Sequence, residues 1–228
     1  METGVSKSPL IEYLATVDTP TLSNAIELLH VRPRAEGFAP LGIRCLFPEF
    51  GRLCGYAVTA QVETMTATNP KREDPFIELF EAISRSLKPA VVVMQELGPH
   101  PDWAVHCGEV LATIFSRLGA VGLVSDCAVR DIPEVRALRF RYFARGAAAS
   151  HANYRIVRVG VPVHVLGLAV QAQGLLHGDE NGLITVPEAT LESLQQAVTS
   201  VKSHERALMD FVQTPGFTAD QLRGRFLH

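Results

Sequence analysis

Two short, unbroken apolar runs constrain this chain more than any other feature. Residues 90–95 (AVVVMQ) and 120–125 (AVGLVS) lack the polar alternation of a half-exposed strand, so each reads as a strand buried on both faces. A helical pattern precedes each run. Residues 74–87 form one helix. Residues 108–118 form another, with Val110, Leu111, Ile114, Phe115 and Leu118 as its apolar stripe and Gly119 as its stop.

The flanks differ from this centre. The 8–9 pair Ser-Pro opens a short helix, and Thr19-Pro20 opens a second, with Thr19 as N-cap and Leu22, Ala25, Ile26 and Leu29 at helical spacing. Residues 31–53 read as a loop and 56–63 (YAVTAQVE) as a strand. Residues 132–138 form a helix and 142–144 a strand. Residues 154–186 are short β segments divided by Gly, Pro and turn residues, and Pro187 opens a long helix to about 211. Alternating strands and helices followed by a β-rich half predict an α/β chain with three β/β/α layers. The organisation is one domain over 1–228, with its core at about 15–190 and a C-terminal helical extension at about 187–228.

Charge and composition remove whole function classes. The 228 residues carry a formal net charge of -3, and hydrophobic residues make up 47% of them. A chain without basic excess is not expected to bind nucleic acid, and no run is long enough for a membrane span. The N-terminus shows no secretory pattern, and Cys45, Cys54, Cys107 and Cys127 have no paired spacing, so they read as reduced thiols of a cytoplasmic protein. No glycine-rich nucleotide fingerprint follows the first strand, no phosphate-binding GxxxxGK[ST] occurs, and no serine sits in GxSxG.

The segment 107–131 (CGEVLATIFSRLGAVGLVSDCAVRD) carries the chemistry. The helix beginning at Gly108-Glu109 has unpaired amides at its first turn, where a carboxylate binds readily and glycine permits close approach. The following strand delivers Asp126, Arg130 and Asp131 at its carboxyl end, where α/β sheets tend to bind ligands. Two structural readings compete. Asp131-Ile132-Pro133-Glu134 has the form of a helix capping box, and Glu109 has the form of a solvent-facing helix residue.

These residues resemble the RraA-like family of class II pyruvate aldolases. Glu109 and Arg130-Asp131 reproduce an acid, twenty residues, then Arg-Asp; the family's first acid is usually Asp. DTPTLSNAI, GYAVTAQ, GEVLAT, GAVGLVSD, YFARG and LHGDENGLITVP resemble family segments in the same order. The resemblance implies a three-layer β/β/α swivelling-domain-like fold. It also implies cleavage or decarboxylation of small 2-oxo acids through a pyruvate enolate. On that resemblance Arg130 meets the 2-oxo oxygen, Asp131 ligates Mg²⁺ or Mn²⁺, and Glu109 holds metal-bound water and aids proton transfer. The amides of Gly108, Glu109, Val110 and Leu111 hold the pyruvyl carboxylate. It further implies a homotrimer or homohexamer, with a carboxylate supplied by a neighbouring subunit. The alternative it carries is a noncatalytic protein-binding regulator of the ribonuclease-inhibitor type, whose namesake lacks the acid after the Arg. Cys127 stands where the family often has glycine, and Ala172-Gln173-Gly174 stands in place of Pro-Gly-Asp.

Three other features have simpler readings. Residues 179–182 form a hairpin turn, with His177 beside it. His100, His106, His151 and His164 share no metal-binding spacing. Lys71-Arg72-Glu73-Asp74 is a solvated loop with the option of acting as a lid.

Overall fold

A computed structural model describes residues 9–64 and 74–225. In chain order its helices are α1 (Pro9–Leu14), α2 (Thr19–Leu28), α3 (Asp74–Arg85), α4 (Glu109–Arg117), α5 (Ile132–Ala137) and α6 (Leu194–Val212). Its strands are β1 (Arg44–Cys45), β2 (Leu53–Thr64), β3 (Ala90–Glu96), β4 (Ala120–Ser125), β5 (Ala128–Val129), β6 (Arg141–Ala144) and β7 (Gly146–Ala147). They continue as β8 (Tyr154–Val159), β9 (Val163–Val165), β10 (Leu168–Val170), β11 (Leu175–Asp179) and β12 (Gly182–Val186).

The main sheet runs β1-β6-β4-β3-β2-β11-β12, with β8 pairing the far half of β2. Strands β2, β3, β4 and β6 are parallel neighbours, and the outer pairings are antiparallel. The apolar run in β3 is explained by a layer on each face. Ala90, Val92 and Met94 pack with Leu79 and Ile83 of α3 and Ala112 and Phe115 of α4. Val91 and Val93 point the other way, onto Val163, Val165, Leu168 and Val170 of the β9–β10 hairpin. The layers are therefore helices, main sheet and β hairpin, as the β/β/α expectation requires. A third cluster joins α1, α2 and α6 through Leu14, Leu22, Ile26, Leu194 and Val198 to Leu175, Ile184 and Val186 of β11 and β12.

Local chemistry corrects three boundaries. Asp18, not Thr19, caps α2, because its Oδ1 accepts the Thr21 amide at 2.9 Å while Thr19 is already helical. Residues 31–53 are not wholly loop, since they include β1 and a 3₁₀ turn at Pro48–Phe50. Pro187 opens only a 3₁₀ turn, Glu188–Thr190, and the long helix begins at Leu194. Gly119 does terminate α4, with φ +94°, a conformation that glycine adopts without steric cost. The 65–73 segment, which includes most of the loop read as a candidate lid, lies outside the described residues. Among the described residues no helix is long and apolar enough to cross a membrane.

Strands β3 and β4 end side by side at Glu96 and Ser125. The segments that follow them, 97–108 and 126–131, therefore meet at one sheet edge.

Candidate active site

The two segments are laced together by backbone bonds. Val105 bridges Ala128 in parallel. The Ala128 amide donates to Ala104 O at 3.1 Å, the His106 amide to Ala128 O at 3.0 Å, and the Arg130 amide to Cys107 O at 2.9 Å. This ladder brings the start of α4 beside Arg130 and Asp131. The Asp131 Oδ2 accepts the Glu109 amide at 2.8 Å, and the Arg130 Nε lies 3.6 Å from the same oxygen.

The capping-box reading of Asp131 does not hold. Asp131 sits in the left-handed region, φ 55° and ψ 47°, and makes no side-chain cap to α5. That backbone turns its carboxylate away from its own helix and toward the start of α4. Asp is among the few residues that tolerate this conformation. Gly108 makes the approach possible. A Cβ there would lie 2.3 Å from Asp131 Oδ2 and 2.9 Å from Arg130 Nε, so any side chain would force both groups to shift.

A cavity of about 170 Å³ opens at this junction, lined in part by Gly108, Val110, Leu111, Arg130, His151 and Tyr154. The first intrahelical bond of α4 runs from the Ala112 amide to Gly108 O. The Glu109 amide is taken by Asp131, which leaves the amides of Val110 and Leu111 without an intrahelical partner. The residues that bear them line the cavity together with Arg130, and free helix-start amides beside a guanidinium are donors of the kind that bind a carboxylate. The Glu109 side chain is exposed and is not among the cavity's lining, so its backbone takes part while its carboxylate stands at the rim.

The donor set suits a hydrated hard cation. Asp131 Oδ2 is engaged, whereas no described donor reaches Oδ1. A carboxylate oxygen that is partly exposed and faces no competing donor is the ligand type Mg²⁺ and Mn²⁺ accept while retaining water. Asp131 is the side chain here that could hold such an ion.

Behind this turn lies a buried network that sequence spacing did not reveal. His106 Nε2 lies 2.9 Å from Glu96 Oε2, and its Nδ1 lies 2.9 Å from Ser125 Oγ. Glu96 also accepts the Thr64 amide, the Thr64 hydroxyl and the Gly98 amide at 2.6–2.8 Å. Burial pushes the Glu96 carboxyl up, but the bonds from His106 and Thr64 outweigh it, and its pKa is lowered. Asp126 goes the other way: burial raises its pKa despite the Glu96 amide that it accepts. Donor atoms of Glu96, His106 and Cys127 lie within 4.8 Å of one another. The Glu96 and His106 atoms in this group also bond to protein partners. The three residues come from three separate segments, and only the adjacency of His106 to Cys107-Gly108 hinted at a link.

The remaining candidates have structural roles. His177 is fully buried, with its ring between Thr19 Oγ1 and Leu14 O at 3.0 Å each, and burial lowers its pKa. Asp179 and Gly182 face each other across a two-residue hairpin turn, and Asp179 Oδ2 accepts the Thr19 amide at 2.7 Å. Burial raises the pKa of all four cysteines, Cys107 to about 12, which leaves them neutral thiols. His100 stacks on Trp103 at 5.0 Å, and His164 lies in the outer hairpin.

Residues 19–185 match the RraA-like family model, described as Aldolase/RraA. A "Putative 4-hydroxy-4-methyl-2-oxoglutarate aldolase" of Halalkalibacterium halodurans is 30% identical over 110 residues, which cover 46% of this chain and 52% of that protein. The chain thus spans about half the length of that curated relative. Among solved structures, Streptomyces coelicolor RraAS2, described as an unusual member of the RNase ES inhibitor RraA protein family, superposes with a TM-score of 0.68. It is 24% identical, covering 91% of this chain and 98% of its own. A chain described among novel cellulases from microbes associated with the gut ecosystem reaches a TM-score of 0.73 at 16% identity, covering 89% and 90%. At such identities these two likenesses speak to the fold alone.

Proposed function

The chain belongs to the RraA-like family, and on that premise we propose that it is a divalent-metal-dependent lyase that cleaves or decarboxylates small 2-oxo acids. The observation that carries this reading is that Arg130 and the helix start bearing the free amides of Val110 and Leu111 line one cavity, with the Asp131 carboxylate tied to the Glu109 amide beside it. The substrate carboxylate sits on the two amides, and its 2-oxo oxygen faces Arg130. When the C3–C4 bond breaks, its electron pair moves into an enolate whose oxygen Arg130 stabilises as charge develops. In retro-aldol cleavage the C4 hydroxyl proton leaves to an acceptor, for which Glu109 at the rim is placed. In oxaloacetate decarboxylation CO₂ departs and no such acceptor is needed. A proton returned to C3 completes pyruvate in both cases. A divalent ion held by Asp131 supplies Lewis-acid polarisation of the carbonyl. Trimeric or hexameric assembly with sites near subunit contacts completes the proposal.

The test is pyruvate release from oxaloacetate and from 4-hydroxy-4-methyl-2-oxoglutarate in the presence of Mg²⁺. The reading requires turnover that EDTA abolishes and that Arg130→Ala lowers by more than about tenfold. Metal-independent turnover contradicts the mechanism. No turnover on any 2-oxo acid, together with tight binding of a protein partner, favours the regulator reading; exposed Leu97, Trp103 and Val110 are the apolar groups such a contact would use.

A further inference from the structure

A second cavity, of about 270 Å³, lies at the opposite edge of the parallel strands. It is lined by Arg52, which directly precedes β2, and Arg141, which opens β6. Pro89 and Val121 form its floor at the starts of β3 and β4, and Glu12 of α1 stands at its side. The proposed active site lies at the other edge, beyond Glu96 and Ser125. The two cavities share no lining residue.

The two arginines here differ from the ion-paired arginines of the chain. Arg130, Arg136, Arg145 and Arg155 each pair with an acid. Arg52 and Arg141 form no ion pair with a described carboxylate, although both are partly buried. The Nε of each is buried and has no hydrogen-bond partner. Arg141 donates from one terminal nitrogen to Phe50 O at 2.8 Å, while Arg52 makes no bond to a described residue. Burial, then repulsion from Arg139, lowers the Arg141 pKa, and the Arg52 charge helps lower the pKa of Asp18 and His177. Two guanidinium groups thus line one small concavity, with Glu12 at its side and Asp18 within electrostatic reach of Arg52. Desolvated guanidinium groups are stabilised chiefly by an acceptor that takes two parallel N–H bonds, namely a carboxylate or a phosphate.

We infer that the cavity between Arg52, Arg141 and α1 is a binding site for a small oxyanion, separate from the proposed active site. The volume admits a small carboxylate or phosphate compound, and the Glu12 charge at the side opposes its binding. Because α1, β2, β3, β4 and β6 all border the cavity, an occupant ties the N-terminal helix to the starts of the sheet strands.

The experiment is isothermal titration of the full chain with inorganic phosphate and with malonate, against chloride at matched ionic strength. It is run on the unmodified protein, Arg130→Ala, Arg52→Gln and Glu12→Gln. Saturable binding that survives Arg130→Ala is expected. Arg52→Gln weakens it about tenfold, the scale of one charge-assisted bond. Glu12→Gln, an exposed helix substitution, tightens it about twofold to threefold at low salt. The ratio of the phosphate and malonate affinities assigns the source of the anion. Binding that vanishes in Arg130→Ala and is unchanged in Arg52→Gln places the anion in the other cavity and overturns the inference. So does a response to phosphate and malonate no greater than the response to chloride. Circular dichroism of Arg52→Gln separates lost binding from lost fold, and the Glu12→Gln gain gives a second readout independent of Arg52.

Discussion

Asp131 Oδ2 accepts the backbone amide of Glu109 at 2.8 Å, so the residue after Arg130 anchors the start of a helix twenty-two positions earlier in sequence. That bond fixes the distance between the arginine and the free amides. A change at either end therefore acts on the site before it acts on the fold.

Gly108→Ala tests this coupling. The backbone at Gly108, φ −134° and ψ −166°, suits any residue, so alanine brings no conformational strain of its own. Its Cβ would still meet Asp131 Oδ2 at 2.3 Å. Pyruvate release is expected to fall by about a hundredfold or more, the cost of displacing a positioned group by about 1 Å. Circular dichroism should stay unchanged.

Asp131→Asn and Asp131→Ala separate charge from anchoring. Asparagine keeps an oxygen for the Glu109 amide but loses the negative charge. Its stability should stay within about 0.5 kcal/mol of the parent while metal-dependent turnover drops more than about tenfold. Alanine removes the acceptor as well and should cost about 1 kcal/mol in urea unfolding.

The sheet was legible in sequence because its signal is local. The 90–95 run shows no alternation because Val92 and Met94 meet helices while Val91 and Val93 meet a hairpin, and both layers are apolar. The family resemblance singled out Glu109 and Arg130-Asp131 together, and the two segments do meet, through the Glu109 amide and Asp131 Oδ2. What escaped depends on contacts that spacing does not encode. Asp131 has the sequence context of a capping box, but its left-handed backbone points the carboxylate elsewhere. Pro187 is a good helix opener, yet the chain first makes a 3₁₀ turn closed by the Thr190 hydroxyl on Pro187 O. The Glu96–His106–Ser125 chain is assembled from three separate segments, so no motif announces it.

That buried chain carries stability. His106→Ala removes the partner of both Ser125 and Glu96 and leaves a buried carboxylate short of one donor. A loss of about 1–3 kcal/mol is expected in urea unfolding, the scale for an unsatisfied buried polar group.

Acid should weaken the junction of the N-terminal helices with β11. Burial lowers the His177 pKa below its ordinary 6.5, so the unfolded chain takes up a proton more readily than the folded one. Stability from this group is complete above 6.5 and is lost as pH falls through the lower folded value. Unfolding free energy measured across this range should decline with acid, and His177→Asn should flatten the decline. An unaltered slope in the variant assigns the acid sensitivity to other groups.

The most direct measurement of the central claim is a crystal structure of the chain with Mg²⁺ and pyruvate. The account predicts the pyruvate carboxylate on the Val110 and Leu111 amides, its 2-oxo oxygen facing Arg130, and the ion on Asp131. Pyruvate bound away from Arg130, or an ion seated on Glu96, His106 and Cys127 with Asp131 bare, contradicts it.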